Sequence, residues 1–262
     1  MEHYAGYLID LDGTIYQGKT QIPTAQAFMQ RLIDSGQPYL FVTNNSTRTP
    51  ADVAENLQQN HHVPTTAAHV YTTAIATADY LKRQAETNGQ ALTAYAIGEQ
   101  GLRTALTNVG FTLVEDSSKT PTFVVVGLDR DVTYEKFVQA VLAIQHGAKF
   151  IATNLDTNIP NQRGMLPGAG AVVDFVRYAT GIEPLAIGKP STIIMEEALR
   201  KLALSATETV MVGDNLQTDI QAAVNAGMDS LMTLTGLSQP ADIERLKIQP
   251  THIVADLIEW QV

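Results

Sequence analysis

Short β-rich runs alternate with helix-length segments along this chain, and that alternation leaves few architectures open. Gly6–Ile9 reads as a first strand, Pro23–Ser35 as a helix, Tyr39–Thr43 ("YLFVT") as a second strand and Pro50–Asn60 as a second helix. Toward the other end, Pro184–Ile187 ("PLAI") reads as a strand and Thr192–Leu202 as a helix. Val210–Val212 reads as a strand, Thr218–Ala226 as a helix and Ser230–Leu234 as a strand. Apolar strands this short, separated by helices of about ten residues, form βαβ units and a parallel sheet. Right-handed crossovers then cover both faces of the sheet. The expected fold class is α/β, a Rossmann-like doubly wound parallel sheet.

The middle of the chain repeats this rhythm independently. Ala94–Ile97, Phe123–Val126 and Phe150–Ala152 read as strands, and Gln100–Val109 and Tyr134–His146 as helices. There is no fixed-period repeat, so the chain is not a solenoid. No long Gly/Ser/Pro linker separates two tandem halves. The second domain is therefore expected as an insertion at residues 79–178, within a core formed by residues 1–78 and 179–262.

Composition narrows the partners. The 262 residues are 45% hydrophobic and 17% charged, ordinary for a globular protein, and the net charge of -10 disfavours nucleic acid polymers. There is no cysteine, which excludes disulfides and thiolate metal sites. "MEHYAGYLID" lacks the basic region and long apolar run of a signal peptide. No stretch approaches the roughly 18 uninterrupted apolar residues of a membrane span. A soluble, cytoplasmic protein with no membrane partner is the expectation.

Four segments end apolar runs in polar residues: "LIDLDGT", "FVTNNS", "AIGKPS" and "MVGDNLQTD". Asp10 and Asp12 lie one residue apart, and a continued strand would set both on one side. At about 4 Å their repulsion is on the order of 4 kcal/mol at a surface-like dielectric. Ligands of an open parallel sheet bind at the shared edge where strands end. That edge would gather Asp10, Asp12, Asp214 and Asp219 with Lys189 and Thr43. So much negative charge calls for a cation, and all-oxygen ligands select Mg²⁺ or a similar hard ion. Asp10 is placed to attack phosphorus and form an aspartyl-phosphate. Asp12 would protonate the leaving alkoxide and later deprotonate water, which requires a raised pKa. Lys189 would neutralise the transferring phosphoryl group, and Thr43 with the amides after it would hold its oxygens.

These motifs, in this order, resemble the haloacid dehalogenase superfamily of phosphatases. "VTNNSTR", "VVVGLDRDVTYEKF", "ATNLDTNIPNQRGMLPGAG" and "IGKPS" resemble its NagD-like, 4-nitrophenyl phosphatase branch. The resemblance implies Asp10 as nucleophile and Asp12 as acid/base. It implies Mg²⁺ held by Asp10, the backbone carbonyl of Asp12, and Asp214. Asp219 would act mainly through water or by orienting its neighbours, with Asn215 in the same outer shell. Thr43 and Asn44 would bind phosphate, and Lys189 would bridge phosphate and Asp10. The inserted domain would be an α/β cap, compatible with a homodimer through it. In caps of this type the loop Asn154–Gly164 faces the substrate: Asp156 would shape the loop and Arg163 would meet a substrate carboxylate or second phosphate.

Other readings of the same residues are weaker. Lys189 is not a Walker lysine, because position 183 is Glu where that motif needs Gly. "GAGAVV" at Gly168–Val173 lacks a preceding strand and reads as a turn entering a helix. The histidines show no metal-ligand spacing. The expected activity is Mg²⁺-dependent hydrolysis of small phosphomonoesters: sugar phosphates, sugar-acid phosphates or nucleoside monophosphates. The alternatives are a phosphomutase of the same superfamily and a phospho-acceptor signalling module. The second needs only about half this length and has no use for an inserted domain.

Overall fold

The computed structural model describes residues 3–116, 118–161 and 163–262, so Gln162 of the expected Asn154–Gly164 loop lies outside it. The chain divides into two compact units. One comprises Met1–Thr43, Pro50–Tyr71 and Lys189–Val262, and the other Asn44–Thr49 and Thr72–Gly188. The second unit is wider than the 79–178 span read from the sequence. Asp79 and Tyr178 fall inside the continuous helices Thr73–Thr87 and Ala169–Thr180.

The first unit is built on a six-stranded sheet in the order His252–Val254, Asp229–Thr233, Thr209–Gly213, Gly6–Ile9, Tyr39–Thr43, Val70–Thr72. Gly6–Ile9 pairs in parallel with Thr209–Gly213 on one side and Tyr39–Thr43 on the other. All three strands are buried at every position, as a sheet covered on both faces requires. Helix Pro23–Ser35 opens on proline, whose missing N–H costs nothing in a first turn, and ends on Gly36 at φ 72°. It buries Ala25, Phe28, Met29 and Leu32, the spacing of one helical face, against Tyr7, Phe41 and Leu57.

The second unit carries its own five-stranded parallel sheet in the order Leu185–Ala186, Lys149–Ala152, Phe123–Val126, Thr93–Ile97, Thr112–Leu113. Val124, Val126 and Phe150 pack there with Ala140 and Ile144 of helix Tyr134–Gln145 and Val173 of helix Ala169–Thr180. Two expectations change. The strand preceding Lys189 pairs with Lys149–Ala152 and is not part of the first sheet. The segment read as an open loop contains an antiparallel hairpin, Asn158–Asn161 with Gly164–Pro167. Among the described residues, no helix is long and apolar enough to cross a membrane.

Candidate active site

Asp10 ends the central strand of the first unit. Its N–H donates to the Val212 carbonyl at 2.8 Å, so the ladder runs one residue past Ile9. The chain then turns: Ile15 N–H returns to the Leu11 carbonyl at 2.8 Å and Gly13 N–H to the Tyr16 carbonyl at 2.6 Å. A turn, not a continued strand, therefore positions Asp12, and the two-residue alternation that put both aspartates on one strand face does not apply. Their settings differ accordingly. The Asp10 side chain is 13% exposed, whereas Asp12 is exposed and its Oδ1 accepts the Gly18 N–H at 2.9 Å. Gly13 sits at φ +97°, and a Cβ there would collide with the Asp214 carboxylate. The glycine of "DGT" thus meets both a backbone and a space requirement.

Asp214 follows strand Thr209–Gly213. Thr14 Oγ1 donates to its Oδ1 at 3.1 Å and Leu237 N–H to its Oδ2 at 2.7 Å. Asp219 lies in a single π-helical turn, Leu216–Ile220, a local widening of the kind found at functional sites. Its Oδ2 accepts the Asn215 N–H at 3.1 Å, and the Asn215 side chain in turn caps Gln217 N–H at 2.9 Å. Lys189 joins these groups. Its ammonium donates to Asp10 Oδ1 at 2.5 Å, Asp219 Oδ1 at 2.7 Å and the Val42 carbonyl at 2.9 Å.

One carboxylate oxygen from each of Asp10, Asp214 and Asp219 lies within 4.8 Å of the others. The structure thus brings together four predicted residues, Asp10, Lys189, Asp214 and Asp219; Asp12 adds no carboxylate to this group. Burial pushes the Asp10 carboxyl well above its ordinary range, and the charges of Asp219 and Asp214 add to the effect against the opposing Lys189. Burial and the Asp219 charge push Asp214 up to about 6. For Lys189, burial works toward deprotonation, but the charges of Asp10 and Asp219 overcome it and hold its pKa above the ordinary value. One ammonium does not balance three buried carboxylates. That surplus, with oxygen-only donors, fits a hard divalent cation such as Mg²⁺.

The other predicted residues are distributed differently. Thr43 is buried at the end of its strand in the first unit, while Asn44 belongs to the second. The Asn44 side-chain amide donates to both oxygens of Asp156, at 3.0 and 3.1 Å. The Asn44 carbonyl accepts from Asn154 Nδ2 at 2.8 Å and Thr73 Oγ1 at 2.9 Å. Arg163 is exposed at the hairpin turn. Its N–H donates to Asn161 Oδ1 at 3.1 Å, and its side chain makes no hydrogen bond or ion pair among the described residues. Sequence reasoning missed the Val42 carbonyl, the Thr14 hydroxyl and the Leu237 N–H. Thr14 was visible inside "DLDGT"; backbone groups carry no side-chain signal.

Residues 7–112 match the haloacid dehalogenase-like hydrolase family, and residues 186–260 match a HAD-hydrolase-like family. The chain is 46% identical to the 5′-nucleotidase YutF of Bacillus subtilis (strain 168) over 260 residues, 99% of this chain and 98% of the relative. It is also 46% identical to an acid sugar phosphatase of Staphylococcus epidermidis over 257 residues, 98% of this chain and 96% of the relative. The solved structure of NagD from E. coli K-12 superposes with a TM-score of 0.91 at 33% identity, covering 99% of both chains.

Proposed function

The chain belongs to the haloacid dehalogenase-like hydrolase family, and from that premise we propose that it hydrolyses small phosphomonoesters in two steps, carrying the phosphoryl group on Asp10. It is a phosphatase of the NagD-like kind. The setting of Asp10 supports the two-step reading best. Lys189 holds Oδ1, and no hydrogen bond reaches Oδ2 among the described residues. That oxygen is oriented but uncommitted, as a nucleophile must be.

In the first step Oδ2 of Asp10 bonds to phosphorus while the bond to the ester oxygen breaks, and Asp12 gives that oxygen its proton. In the second, water attacks phosphorus and passes a proton to Asp12. The bond to Asp10 breaks and inorganic phosphate leaves. Thr43 and the amides after it hold phosphate oxygens. Asn44 is the second side chain assigned to phosphate in this reading. Lys189 keeps Asp10 in place and balances the charge of the phosphoryl group. Asp10, Asp214 and the Asp12 carbonyl would hold Mg²⁺, with Asp219 orienting Lys189 and the loop. When bound, the ion neutralises charge on the transferring phosphoryl group.

Relatives of equal identity are named for nucleotides and for sugars, so identity does not choose between these substrates. The reading covers sugar phosphates, sugar-acid phosphates and nucleoside monophosphates, hydrolysed in the cytoplasm; the net charge of -10 supports small molecules over nucleic acid polymers. The test is a screen of phosphorylated metabolites with Mg²⁺, read as released phosphate, run beside Asp10→Asn. The variant is expected to fold and to lose at least about a thousandfold in turnover. Retained turnover would remove Asp10 from the role.

A further inference from the structure

Asp12 is the exposed member of the proposed machinery, and an exposed carboxylate needs something to aim it. The structure supplies a short hairpin, Tyr16–Gln17 with Thr20–Gln21, that meets Asp12 twice. Gly18 N–H donates to Asp12 Oδ1 at 2.9 Å, and the backbones of Asp12 and Tyr16 form an isolated bridge. Strands of two residues do not stand on their own. What fixes this hairpin is the C-terminal end of helix Pro50–His61. The Tyr16 ring stacks on the His61 ring, with centroids 4.2 Å apart and planes inclined by 16°. Beside the stack, Gln21 Nε2 donates to the Asn60 carbonyl and Gln26 Nε2 to the His61 carbonyl, each at 2.8 Å. These amides also satisfy carbonyls that the helix end leaves open.

His61 is 2% exposed, and its Nδ1 is buried without a hydrogen-bond partner among the described residues. Its contribution to this contact is therefore the flat face of the ring. We propose that His61 and Tyr16 are positioning residues for Asp12: their stack docks the hairpin on the helix end, and the docked hairpin holds the Asp12 carboxyl through Gly18. The inference rests on Asp12 acting as proton donor to the leaving oxygen. A displacement of about 1 Å in such a group lowers a rate by up to about a hundredfold.

The leaving group separates aiming from general damage. Nitrophenolate departs without a proton, whereas an alkoxide requires one. The measurement is kcat/KM for 4-nitrophenyl phosphate and for the alkyl phosphate that the wild-type chain hydrolyses fastest, with melting temperatures alongside. His61→Ala is expected to lower the alkyl value by about 30-fold and the nitrophenyl value by less than about threefold. His61→Phe keeps a ring face and brings the alkyl value back to within about threefold of wild type. Tyr16→Ala reproduces the selective loss, and the double variant loses no more than either single one. Tyr16→Ala also carries the test if His61→Ala does not fold. Equal losses on both substrates, an additive double variant, or a His61→Phe as impaired as His61→Ala would each overturn the proposal. Asp12→Asn is the reference. If it spares the nitrophenyl ester and His61→Ala does not, positioning alone fails; if it shows no selectivity, the proton-donor role fails with it.

Discussion

The clustered carboxylates of the first unit and Asp156 of the second meet the problem of charge in opposite ways. Asp10, Asp214 and Asp219 are crowded within 4.8 Å; Asp10 and Asp219 share the ammonium of Lys189, and Asp214 is pushed up to about 6. Asp156 is met by amides: two N–H bonds from Asn44 reach its oxygens, and its own N–H goes to Asn154 Oδ1 at 3.1 Å. Amide dipoles satisfy a single carboxylate without adding charge. A cluster of carboxylates keeps a deficit that either protons or another cation must remove. The first arrangement concentrates charge, and the second spreads it over neutral dipoles.

The strongest way to break this contrast is to remove the Lys189 ammonium. Lys189→Met leaves buried carboxylates with no counter-charge and is expected to cost about 3–5 kcal/mol in denaturant unfolding, with turnover lost as well. Wild-type stability in that variant would mean the cluster is already protonated and neutral.

The next effect is on pH dependence. The folded pKa of Asp214, about 6, lies above the ordinary 3.8, so the folded chain binds the extra proton. Its contribution is fully present below the ordinary pKa and is lost as pH rises through the folded one. Without divalent cation, stability should therefore fall between pH about 4 and 6, by about 3 kcal/mol from this group. Asp214→Asn should flatten that slope and make the cation-free protein more stable at pH 7.5 than wild type. Added Mg²⁺ should raise the melting temperature of wild type at pH 7.5 far more than at pH 4.5. A flat wild-type profile would show that burial does not strain Asp214.

Smaller effects belong to the second unit. Asp156→Ala should cost about 1–2 kcal/mol through the loss of both hydrogen bonds from Asn44, equally with and without Mg²⁺. A cation-dependent loss would erase the distinction between the two regions. Arg163→Glu should change stability by less than about 0.5 kcal/mol, because the side chain is exposed and makes no hydrogen bond or ion pair among the described residues. It should lower kcat/KM for acidic substrates more than for neutral ones; equal kinetics would remove Arg163 from substrate choice.

Much of this was legible in the sequence because burial on both sheet faces writes itself as apolar runs. Tyr39–Thr43 and Phe123–Val126 coincide with observed strands, and Pro23–Ser35 and Thr192–Leu202 with observed helices. The charged residues at strand ends were equally readable, since an aspartate after "YLI" has few reasons to be there. Partnership was not readable. "PLAI" has strand chemistry but nothing in it says which sheet it joins, and two residues of pairing with Lys149–Ala152 decided the matter. The hairpins at 16–21 and 158–167 were missed because strands of two to four mostly exposed residues carry no alternation. The link from Asn44 to Asp156 spans 112 positions, beyond any local pattern.

The strand order has a consequence for how the molecule is made. Gly6–Ile9 emerges long before Thr209–Gly213, yet one of its two edges is reserved for that strand. Throughout synthesis of the intervening chain, that edge presents open backbone groups, and Asp10 has neither Lys189 nor Asp219 beside it. Pairing between positions so distant closes slowly. The nascent polypeptide is thus most vulnerable to misassociation in the interval before Thr209–Gly213 leaves the ribosome, and chaperone demand should concentrate there.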